Sequence, residues 1–317
     1  MKKTFITGIT GFAGSFLAEH LLEEGYEVSG TYLTEESLSN ISSVQDKVNL
    51  HKVDLQDAQV IEGIIASERP DLIFHLAALT APGKSFENPN EFITNNISAE
   101  VNLLEGIRKA SILPRTLIIS SAEVYGNVLP SDLPIDEETE LRPVNPYAVS
   151  KVACDFLGLQ YFLSYKFPIV RVRPFNHIGP RQSPSFVVAA FAKKIAEIER
   201  GKMEPLLKVG NLSAKRDLTD VRDTVEGYVR ILEQGTPGQV YNIGSGKSYK
   251  IEDILSKLLS FSNKKIKVEV DQGLMRPIDV PDLVCDNAKI RKATGWEPKI
   301  PIEETLRETL NYWRNQN

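Results

Sequence analysis

Short apolar runs alternate with helical patterns through the first half of the chain. Six of these runs have the length and composition of β-strands, namely KKTFITG, YEVSGTY, VNLHKVD, DLIFHLA, RTLIISS and PIVRVRP. Apolar residues that recur at intervals of three and four predict helices in GSFLAEHLLEEG and over residues 57–68, 90–110 and 145–165. Strands that alternate with helices indicate a parallel sheet covered on both faces. The pattern therefore predicts an α/β fold of the Rossmann type, a doubly wound parallel sheet.

The pattern changes after residue 174. The segment FNHIGPRQSPS is rich in turn formers, and the helical pattern FVVAAFAKKIAEIERG follows it without a linker. A strand near PLLKVG, the charged stretch NLSAKRDLTDVRD, a further helix and the strand QVYNIG come next. We predict a dinucleotide-binding domain from residues 1–173 with a returning segment at about 221–243. A smaller C-terminal α/β substrate lobe would comprise residues 174–220 and 244–317, facing the strand ends where such folds bind ligands.

Bulk properties narrow the classes of function. The 317 residues carry a formal net charge of −5, which argues against nucleic acid or an anionic membrane as the main partner. The longest apolar runs, such as LIFHLAAL, are too short to cross a bilayer. Cys154 and Cys285 are the only cysteines, so we expect no disulfide framework and a cytoplasmic location. The four histidines are scattered, and we expect no metal site.

Three glycines separate the first strand from the first helix. Gly8, Gly11 and Gly14 stand in TGITGFAG, where small residues allow the backbone to approach a diphosphate at a helix N-terminus. The spacing G-x-x-G-x-x-G differs from the commoner G-x-G-x-x-G. A tight turn without a ligand is the alternative. The flanking strand and helix favour a dinucleotide site.

Two further positions bear on the cofactor. Asp54 ends the third predicted strand and could accept a hydrogen bond from an adenine amino group, although capping of the helix that starts near Asp57 is the alternative. The second strand ends with Tyr32 and Leu33, where an acid would favour NAD and a base would favour NADP. These two residues leave the choice open.

Tyr147 and Lys151 in NPYAVSK are four residues apart, so they share one face of a helix that Asn145 and Pro146 suit as a start. A phenol ordinarily titrates near pH 10. A neighbouring ammonium and an oxidised nicotinamide would lower its pKa into a useful range. A solvated helix face is the alternative interpretation. A serine-bearing strand end about 25 residues earlier, at Ser121, favours the catalytic one.

Together these motifs resemble the extended short-chain dehydrogenase/reductase family over nearly the whole chain. The family's cofactor segments are similar to TGITGFAG, HKVDLQD and HLAA, and its closing segment to GWEPKIPIEETL. Asn95 in FITNN is similar to a structural asparagine of the family. The resemblance implies a nucleotide-sugar substrate and these cofactor-binding residues: Gly8, Thr10, Gly11, Phe12, Ala13, Gly14, Asp54, Leu55, Leu76, Ala77, Ala78, Tyr147 and Lys151.

The second half resembles one branch of that family, the enzymes that act on GDP-mannose derivatives. RPFNHIGPRQSPSFV and VGNLSAKRDLTDVRD are similar to segments of GDP-mannose 4,6-dehydratases and, more closely, of GDP-4-keto-6-deoxy-D-mannose reductases. The resemblance implies that Asn176 holds the diphosphate, that Val187 and Lys193 line the guanine pocket, and that Arg216 and Arg276 clamp phosphate oxygens. Surface salt bridging is the alternative for the arginines. The full set of implied substrate residues is Ser85, Ser121, Glu123, Tyr147, Asn176, Val187, Lys193, Asn211, Arg216 and Arg276.

The stretch SSAEVYG bears on the reaction. By the resemblance, Ser121 completes a catalytic set with Tyr147 and Lys151, while dehydratases carry Asp-Glu or Ser-Glu at the next two positions. This chain has Ala122, which cannot donate a proton, and Glu123, which would orient the sugar. We therefore expect a reductase that forms GDP-D-rhamnose, or its talose epimer, from GDP-4-keto-6-deoxy-D-mannose.

Several alternatives stay open at this point. Glu123 could be the base of a 4,6-dehydratase, or only a capping carboxylate. A non-catalytic module that senses NAD(P) is a further possibility, which the intact Ser121, Tyr147 and Lys151 disfavour. The resemblance favours NADP(H) over NAD(H). It also implies a homodimer through the helices at 90–110 and 145–165, although their apolar residues could instead pack on their own sheet.

Overall fold

The structure, a computed structural model, describes residues 1–275 and 280–316. Its strands are β1 Lys3–Thr7, β2 Glu27–Tyr32, β3 Asn49–Lys52, β4 Leu72–His75, β5 Arg115–Ile119, β6 Ile169–Pro174, β7 Asn176–Ile178, β8 Leu206–Val209, β9 Lys215–Asp220, β10 Val240–Ile243, β11 Ser248–Lys250, β12 Lys267–Val270 and β13 Asp282–Leu283. Its α-helices are α1 Phe12–Glu23, α2 Ala58–Glu68, α3 Pro82–Ser85, α4 Pro89–Lys109, α5 Pro146–Tyr165, α6 Val187–Glu199, α7 Val221–Gln234, α8 Ile251–Ser260, α9 Ala288–Thr294 and α10 Ile302–Asn315.

The large sheet has seven parallel strands in the order β10-β6-β5-β4-β1-β2-β3. The chain builds outward from β1 to β3, then returns to the other side of β1 and continues through β4, β5 and β6. The order therefore reverses between β1 and β4, which is where doubly wound sheets bind ligands. This architecture confirms the predicted Rossmann-type fold.

Helices cover both faces of this sheet, which explains the continuous apolar runs. Phe5 and Ile6 are neighbours in β1 and point to opposite faces, yet both are completely buried. Ile6 belongs to the core beneath α1 and α7, and Phe5 belongs to the core beneath α2, α4 and α5. The predicted helices at 57–68, 90–110 and 145–165 are confirmed with ends that differ by one residue.

A smaller α/β unit follows the large sheet. Its central strand β9 pairs with β7 and β13 in parallel and with β11 in antiparallel fashion, while β8 pairs with β12. Helices α6, α8 and α10 enclose its own apolar core. The returning strand β10 is the edge strand of the large sheet, and α7 packs on its face together with Ile290 and Trp296 from the last third of the chain. The division into a dinucleotide-binding domain at residues 1–173 and 221–243 and a substrate lobe formed by the remainder stays our proposal. The last third of the chain contributes residues to both apolar cores.

The parallel arrangement brings four chain segments to one edge of the sheet. The residues that follow β1, β4, β5 and β6 all leave the sheet at its carboxyl edge, next to the smaller unit. Helix α5 begins at the same edge. Its start is fixed at this point of the chain because Asn145 caps it and Pro146 occupies its first turn. Within the described ranges no helix is both long and apolar enough to cross a membrane.

Candidate active site

A cavity of about 540 Å³ lies at the carboxyl edge of the sheet, between the sheet and the smaller unit. Its size is typical of a pocket for a small-molecule ligand. The segments that follow β1, β2, β4, β5 and β6 line it, together with parts of α5 and the loop before α6. Every one of the predicted cofactor residues lies in its wall: Gly8, Thr10, Gly11, Phe12, Ala13, Gly14, Asp54, Leu55, Leu76, Ala77, Ala78, Tyr147 and Lys151.

The glycine loop is shaped by close backbone contacts. Gly8 has a φ of +70°, and a Cβ there would lie 3.0 Å from the Cα of Ala77. A Cβ on Gly14 would lie 2.2 Å from the carbonyl oxygen of Gly8. The loop therefore tolerates no side chain at these positions. Its own fold, rather than a ligand alone, accounts for these two glycines.

The start of α1 suits an anion. Gly11 is the N-cap residue, no side chain caps the helix, and its first turn contains no acidic residue. The amide groups of this turn lack helical partners, and Gly11, Phe12 and Ala13 line the cavity. Uncapped amides at a helix N-terminus, approached through glycines, fit the diphosphate of a nicotinamide dinucleotide. These residues would hold that group.

The wall at the adenosine end of the cavity combines apolar residues with hydroxyl-bearing ones, and Asp54 contributes a carboxylate. Asp54 Oδ1 accepts a hydrogen bond from the Gln56 amide at 2.9 Å, whereas the cap of α2 is Asp57. The capping alternative for Asp54 is therefore not what the structure shows. Beyond β2, the wall consists of Tyr32, Leu33, Thr34 and Ser37. Lys52, at the end of the neighbouring strand, forms an ion pair of 2.8 Å with Glu35.

The structure brings Ser121, Tyr147 and Lys151 together in the same cavity wall. Ser121 follows β5, while Tyr147 and Lys151 project from the first turns of α5 as the spacing predicts. Lys151 is buried, and its ammonium donates a hydrogen bond of 2.7 Å to the carbonyl oxygen of Ile119. The Ser120 hydroxyl in turn donates to the carbonyl oxygen of Lys151 at 3.1 Å. Both contacts fix α5 against the end of β5.

Burial is the main influence on the pKa of Tyr147. Burial raises the pKa of its phenol above the ordinary value of 10, the Ser121 hydroxyl opposes this shift, and the Glu123 carboxylate adds to it. The lowering of this pKa by Lys151 together with an oxidised nicotinamide stays a prediction, and in this structure the Lys151 ammonium is directed to the backbone carbonyl of Ile119. The site therefore holds Tyr147 as a neutral phenol, the form that can donate a proton.

Glu123 lies in the cavity wall beside these groups. Its Oε2 accepts a hydrogen bond of 3.1 Å from the Asn145 side chain, and its backbone amide donates to the Ser121 hydroxyl oxygen at 3.2 Å. The capping groups here are Ser121 and Asn145 rather than Glu123. A half-buried carboxylate beside a phenol and a hydroxyl can accept hydrogen bonds from a bound polyol.

Four of the ten predicted substrate residues line the cavity. Asn176 lies in the cavity wall with Ser121, Glu123 and Tyr147. Ser85 is completely buried and donates its hydroxyl to the Pro82 carbonyl. The others lie outside the cavity wall: Val187 at the start of α6, Lys193 over the ring of Trp313, Asn211 bonded to Ser213, and Arg216 bonded to the Lys215 and Val280 carbonyls. Arg276 lies outside the described residues.

Sequence reasoning missed several residues of the wall. The ring of His177 stacks on Phe12 with centroids 5.7 Å apart, and burial lowers the pKa of this histidine. Gln182 donates its amide to the His177 carbonyl at 2.9 Å, and Tyr228 closes the cavity from α7. The turn-rich segment FNHIGPRQ pointed to a loop here but did not indicate which side chains face inward.

The structural asparagine of α4 is Asn96, so the expectation for Asn95 is wrong. The Asn96 amide exchanges two hydrogen bonds with the backbone of Leu79 and donates a third to the Ser150 hydroxyl. These contacts connect the segment after β4 to α5. Asn95 instead lies in the cavity wall.

Comparison with known proteins identifies the family to which this chain belongs. Residues 5–309 match the family model described as GDP-mannose 4,6 dehydratase. The chain belongs to this family. It is accordingly a short-chain dehydrogenase/reductase of the extended type and an NAD(P)-dependent oxidoreductase-type enzyme, which confirms the predicted family and enzyme class. The interpretation as a non-catalytic module is not retained.

Individual relatives cover nearly the whole chain. GDP-6-deoxy-D-mannose reductase of Pseudomonas aeruginosa is 33% identical over 99% of this chain and 98% of that protein. GDP-mannose 4,6 dehydratase 2 of Caenorhabditis elegans is 30% identical over 98% of this chain and 88% of that protein. The solved structure of RMD from Pseudomonas aeruginosa complexed with NADPH has a TM-score of 0.86, 33% identity and 99% coverage of both chains.

Proposed function

We propose that this enzyme reduces the C4 ketone of GDP-4-keto-6-deoxy-D-mannose and forms GDP-D-rhamnose. The single observation that carries the proposal is the convergence of Ser121, Tyr147 and Lys151 in one cavity wall, with Ala122 rather than an acid between Ser121 and Glu123. The relative in Pseudomonas aeruginosa named GDP-6-deoxy-D-mannose reductase supports it.

Ser121, Tyr147 and Lys151 would each have a separate role in the reduction of a ketone. A bound reduced nicotinamide supplies the two electrons and one hydrogen that C4 gains. The Ser121 hydroxyl would donate a hydrogen bond to the ketone oxygen, and the Tyr147 phenol would transfer its proton to that oxygen as negative charge develops there. Lys151 would hold the nicotinamide ribose and stabilise the phenolate that remains. The alcohol product then carries one hydrogen on C4 and one on its oxygen, so the atoms balance.

Glu123 would serve as an acceptor for sugar hydroxyls in this scheme. Elimination of water across C5 and C6 requires an acid as well as a base, and the methyl side chain of Ala122 provides neither. This absence favours reduction over dehydration. The 4,6-dehydratase with Glu123 as base remains the second candidate, because the carboxylate does lie in the cavity wall.

The form of the cofactor stays a prediction. The resemblance favours NADP(H), and the solved relative named above was complexed with NADPH. At the adenosine end of the cavity the described wall offers the hydroxyls of Thr34 and Ser37, while Lys52 is engaged by Glu35. Direct titration with NADPH and NADH would decide between them.

We also propose a homodimer through α4 and α5. The outer face of α5 exposes Val149, Phe156 and Leu163, which follow one another at intervals of seven residues, and Leu163 is 56% exposed. Apolar side chains that recur along one helix face without a partner in the chain suit a second copy of the same helix. Sedimentation at several protein concentrations would test this assembly.

Incubation with purified sugars tests the proposed reaction. With GDP-4-keto-6-deoxy-D-mannose and reduced nicotinamide we expect oxidation of the nicotinamide and one GDP-6-deoxyhexose, whose C4 configuration NMR distinguishes as rhamnose or talose. With GDP-mannose and no added reductant we expect no reaction. A 4-keto product in the second incubation would contradict the reductase and support the dehydratase.

A further inference from the structure

Asn145 makes two hydrogen bonds that point in different directions. Its side-chain oxygen accepts from the Ala148 amide at 2.8 Å and thereby caps α5. Its side-chain nitrogen donates to Glu123 Oε2 at 3.1 Å. The amide is buried, and it does not itself belong to the described wall of the cavity. One side chain thus joins the start of the catalytic helix to a carboxylate that faces the substrate space.

The hydrogen-bonded connection from Asn145 to Glu123 continues to the Ser121 hydroxyl. The Glu123 amide donates to the Ser121 hydroxyl oxygen, so one lone pair of that oxygen is occupied. The Ser121 side chain also makes a hydrogen bond with the Tyr147 phenol, so the two groups would meet a ketone oxygen together. Asn145 stands two residues before Tyr147 at the rigid first turn of α5. The positions of Ser121, Glu123 and Tyr147 are therefore linked through one short chain of hydrogen bonds.

Only an amide satisfies both contacts of residue 145. Serine is an equally good N-cap but lacks the second donor, and aspartate caps well but would place a second anion beside Glu123. The capping requirement alone is met by all three residues. The contact with Glu123 is what distinguishes asparagine.

We infer that Asn145 is a positioning residue that fixes the Glu123 carboxylate relative to the Tyr147 phenol and so sets how the sugar is presented. The inference rests on the proposed function of the site and deepens it. Asn145 acts through Glu123 and contacts no reacting atom. Its contribution should therefore depend on the presence of the Glu123 carboxylate, which a purely structural role would not.

A double-mutant cycle tests this dependence. Asn145→Ser, Glu123→Ala and the double variant are compared with the unaltered protein in steady-state reduction of the ketosugar. We expect Asn145→Ser to lower kcat/KM by about tenfold, the size of one lost hydrogen bond to a charged group, and to leave the melting temperature nearly unchanged. In the Glu123→Ala background the same substitution should change kcat/KM by less than about twofold. Asn145→Asp should lower kcat/KM further than Asn145→Ser, although it caps the helix as well.

A second helix cap provides the matched control. Asp57 caps α2 through the amides of Gln59 and Val60 and lies outside the described cavity wall. Asp57→Ser exchanges one good cap for another, and Asp57→Ala removes the cap. We expect the alanine variant to melt at a lower temperature and both variants to keep the kcat/KM of the unaltered protein.

Binding of GDP-mannose to the same four proteins of the cycle, measured by calorimetry, supplies a readout without turnover. Loss of affinity in Asn145→Ser that disappears in the Glu123→Ala background supports the inference. If binding shows this coupling while no ketosugar is reduced, the proposed reaction fails and the positioning role stands. Equal effects of Asn145→Ser in both backgrounds, or no effect in either, would overturn the inference.

Discussion

The Lys151 ammonium donates a hydrogen bond of 2.7 Å to the carbonyl oxygen of Ile119, so α5 is attached to the last residue of β5. The contact is fully enclosed, because Lys151 is only 4% exposed. It places a positive charge at the floor of the cavity, next to Ser121 and Tyr147. A buried ammonium needs such a partner, since an unpaired charge in this position would be costly.

Replacement of the Lys151 ammonium by an uncharged side chain should impair both turnover and binding of the nicotinamide nucleotide. We expect Lys151→Met to lower kcat by at least a factor of about one hundred, because the phenolate that forms on Tyr147 loses its neighbouring cation. Affinity for the nicotinamide nucleotide should also fall, as fluorescence titration would measure. Retention of both properties in Lys151→Met would contradict the role given to the lysine.

The raised pKa of Tyr147 has a consequence for the pH profile. A phenol donates its proton only while it is protonated, and burial keeps the pKa of this group above its ordinary value of 10. Activity that depends on the acid form is present below this pKa and is lost as the pH rises through it. We therefore expect kcat for ketone reduction to show no loss attributable to Tyr147 up to pH 10. Tyr147→Phe should abolish turnover and leave nucleotide binding intact.

Glu100 should make the stability of the protein depend on pH. Burial raises the pKa of this carboxyl from 4.5 to about 8, its neighbours Cys154 and Lys151 oppose the shift, and Asp155 adds to it. Neither of its oxygens has a hydrogen-bond partner in the described part of the chain. Below pH 4.5 the group is protonated whether the chain is folded or unfolded. Above this pH the unfolded chain ionises first, so the stabilising effect of the raised pKa is lost progressively until about pH 8.

The test of this linkage is a comparison with Glu100→Gln. The free energy of unfolding, from urea titrations between pH 4 and 9, should fall with pH more steeply for the unaltered protein than for the variant. The difference should reach on the order of 5 kcal/mol at pH 9, since the pKa of Glu100 rises from 4.5 to about 8 on folding. Parallel curves for the two proteins would show that Glu100 does not titrate in this interval.

Glu35 should influence the choice of cofactor through Lys52. The two side chains form an ion pair of 2.8 Å beside the end of β2, and both are more than half exposed. In Glu35→Gln the ammonium is released and one negative charge is removed, so a 2′-phosphate is better tolerated. We expect the affinity for NADPH relative to NADH to rise by about three- to fivefold, a modest change because the pair is solvated. The pair of Glu62 and Lys109, also 2.8 Å apart, provides the control, and Glu62→Gln should leave this ratio unchanged.

The large sheet and the glycine loop were predictable because local patterns determine them. A parallel sheet buried on both faces requires continuous apolar strands, and KKTFITG and RTLIISS have this composition. A tight loop at Gly8 and Gly14 was predictable, and backbone atoms leave no space for a side chain at either position, while their role in cofactor binding stays a prediction. The pair of Tyr147 and Lys151 was predictable because a helix always places residues four apart on one face.

Other parts of the site depend on contacts between distant segments. Asn95 and Asn96 are adjacent in the sequence but point in directions about 100° apart on α4, and only the packing of Leu79 and Ser150 shows which one is structural. The cap of α5 was predictable at Asn145, whereas its second bond to Glu123 depends on how the loop after β5 turns. The orientation of Lys151 toward Ile119 depends on how α5 packs against the end of β5.

Transfer of deuterium from C4-deuterated nicotinamide to the sugar would show directly whether the C4 ketone is reduced. We expect GDP-4-keto-6-deoxy-D-mannose to yield a product with one deuterium on C4 of the hexose and one oxidised nicotinamide for each product molecule. Tyr147→Phe should bind both ligands and transfer no label. Label at another carbon, or a 4-keto sugar formed from GDP-mannose without net oxidation of nicotinamide, would contradict the proposed reduction.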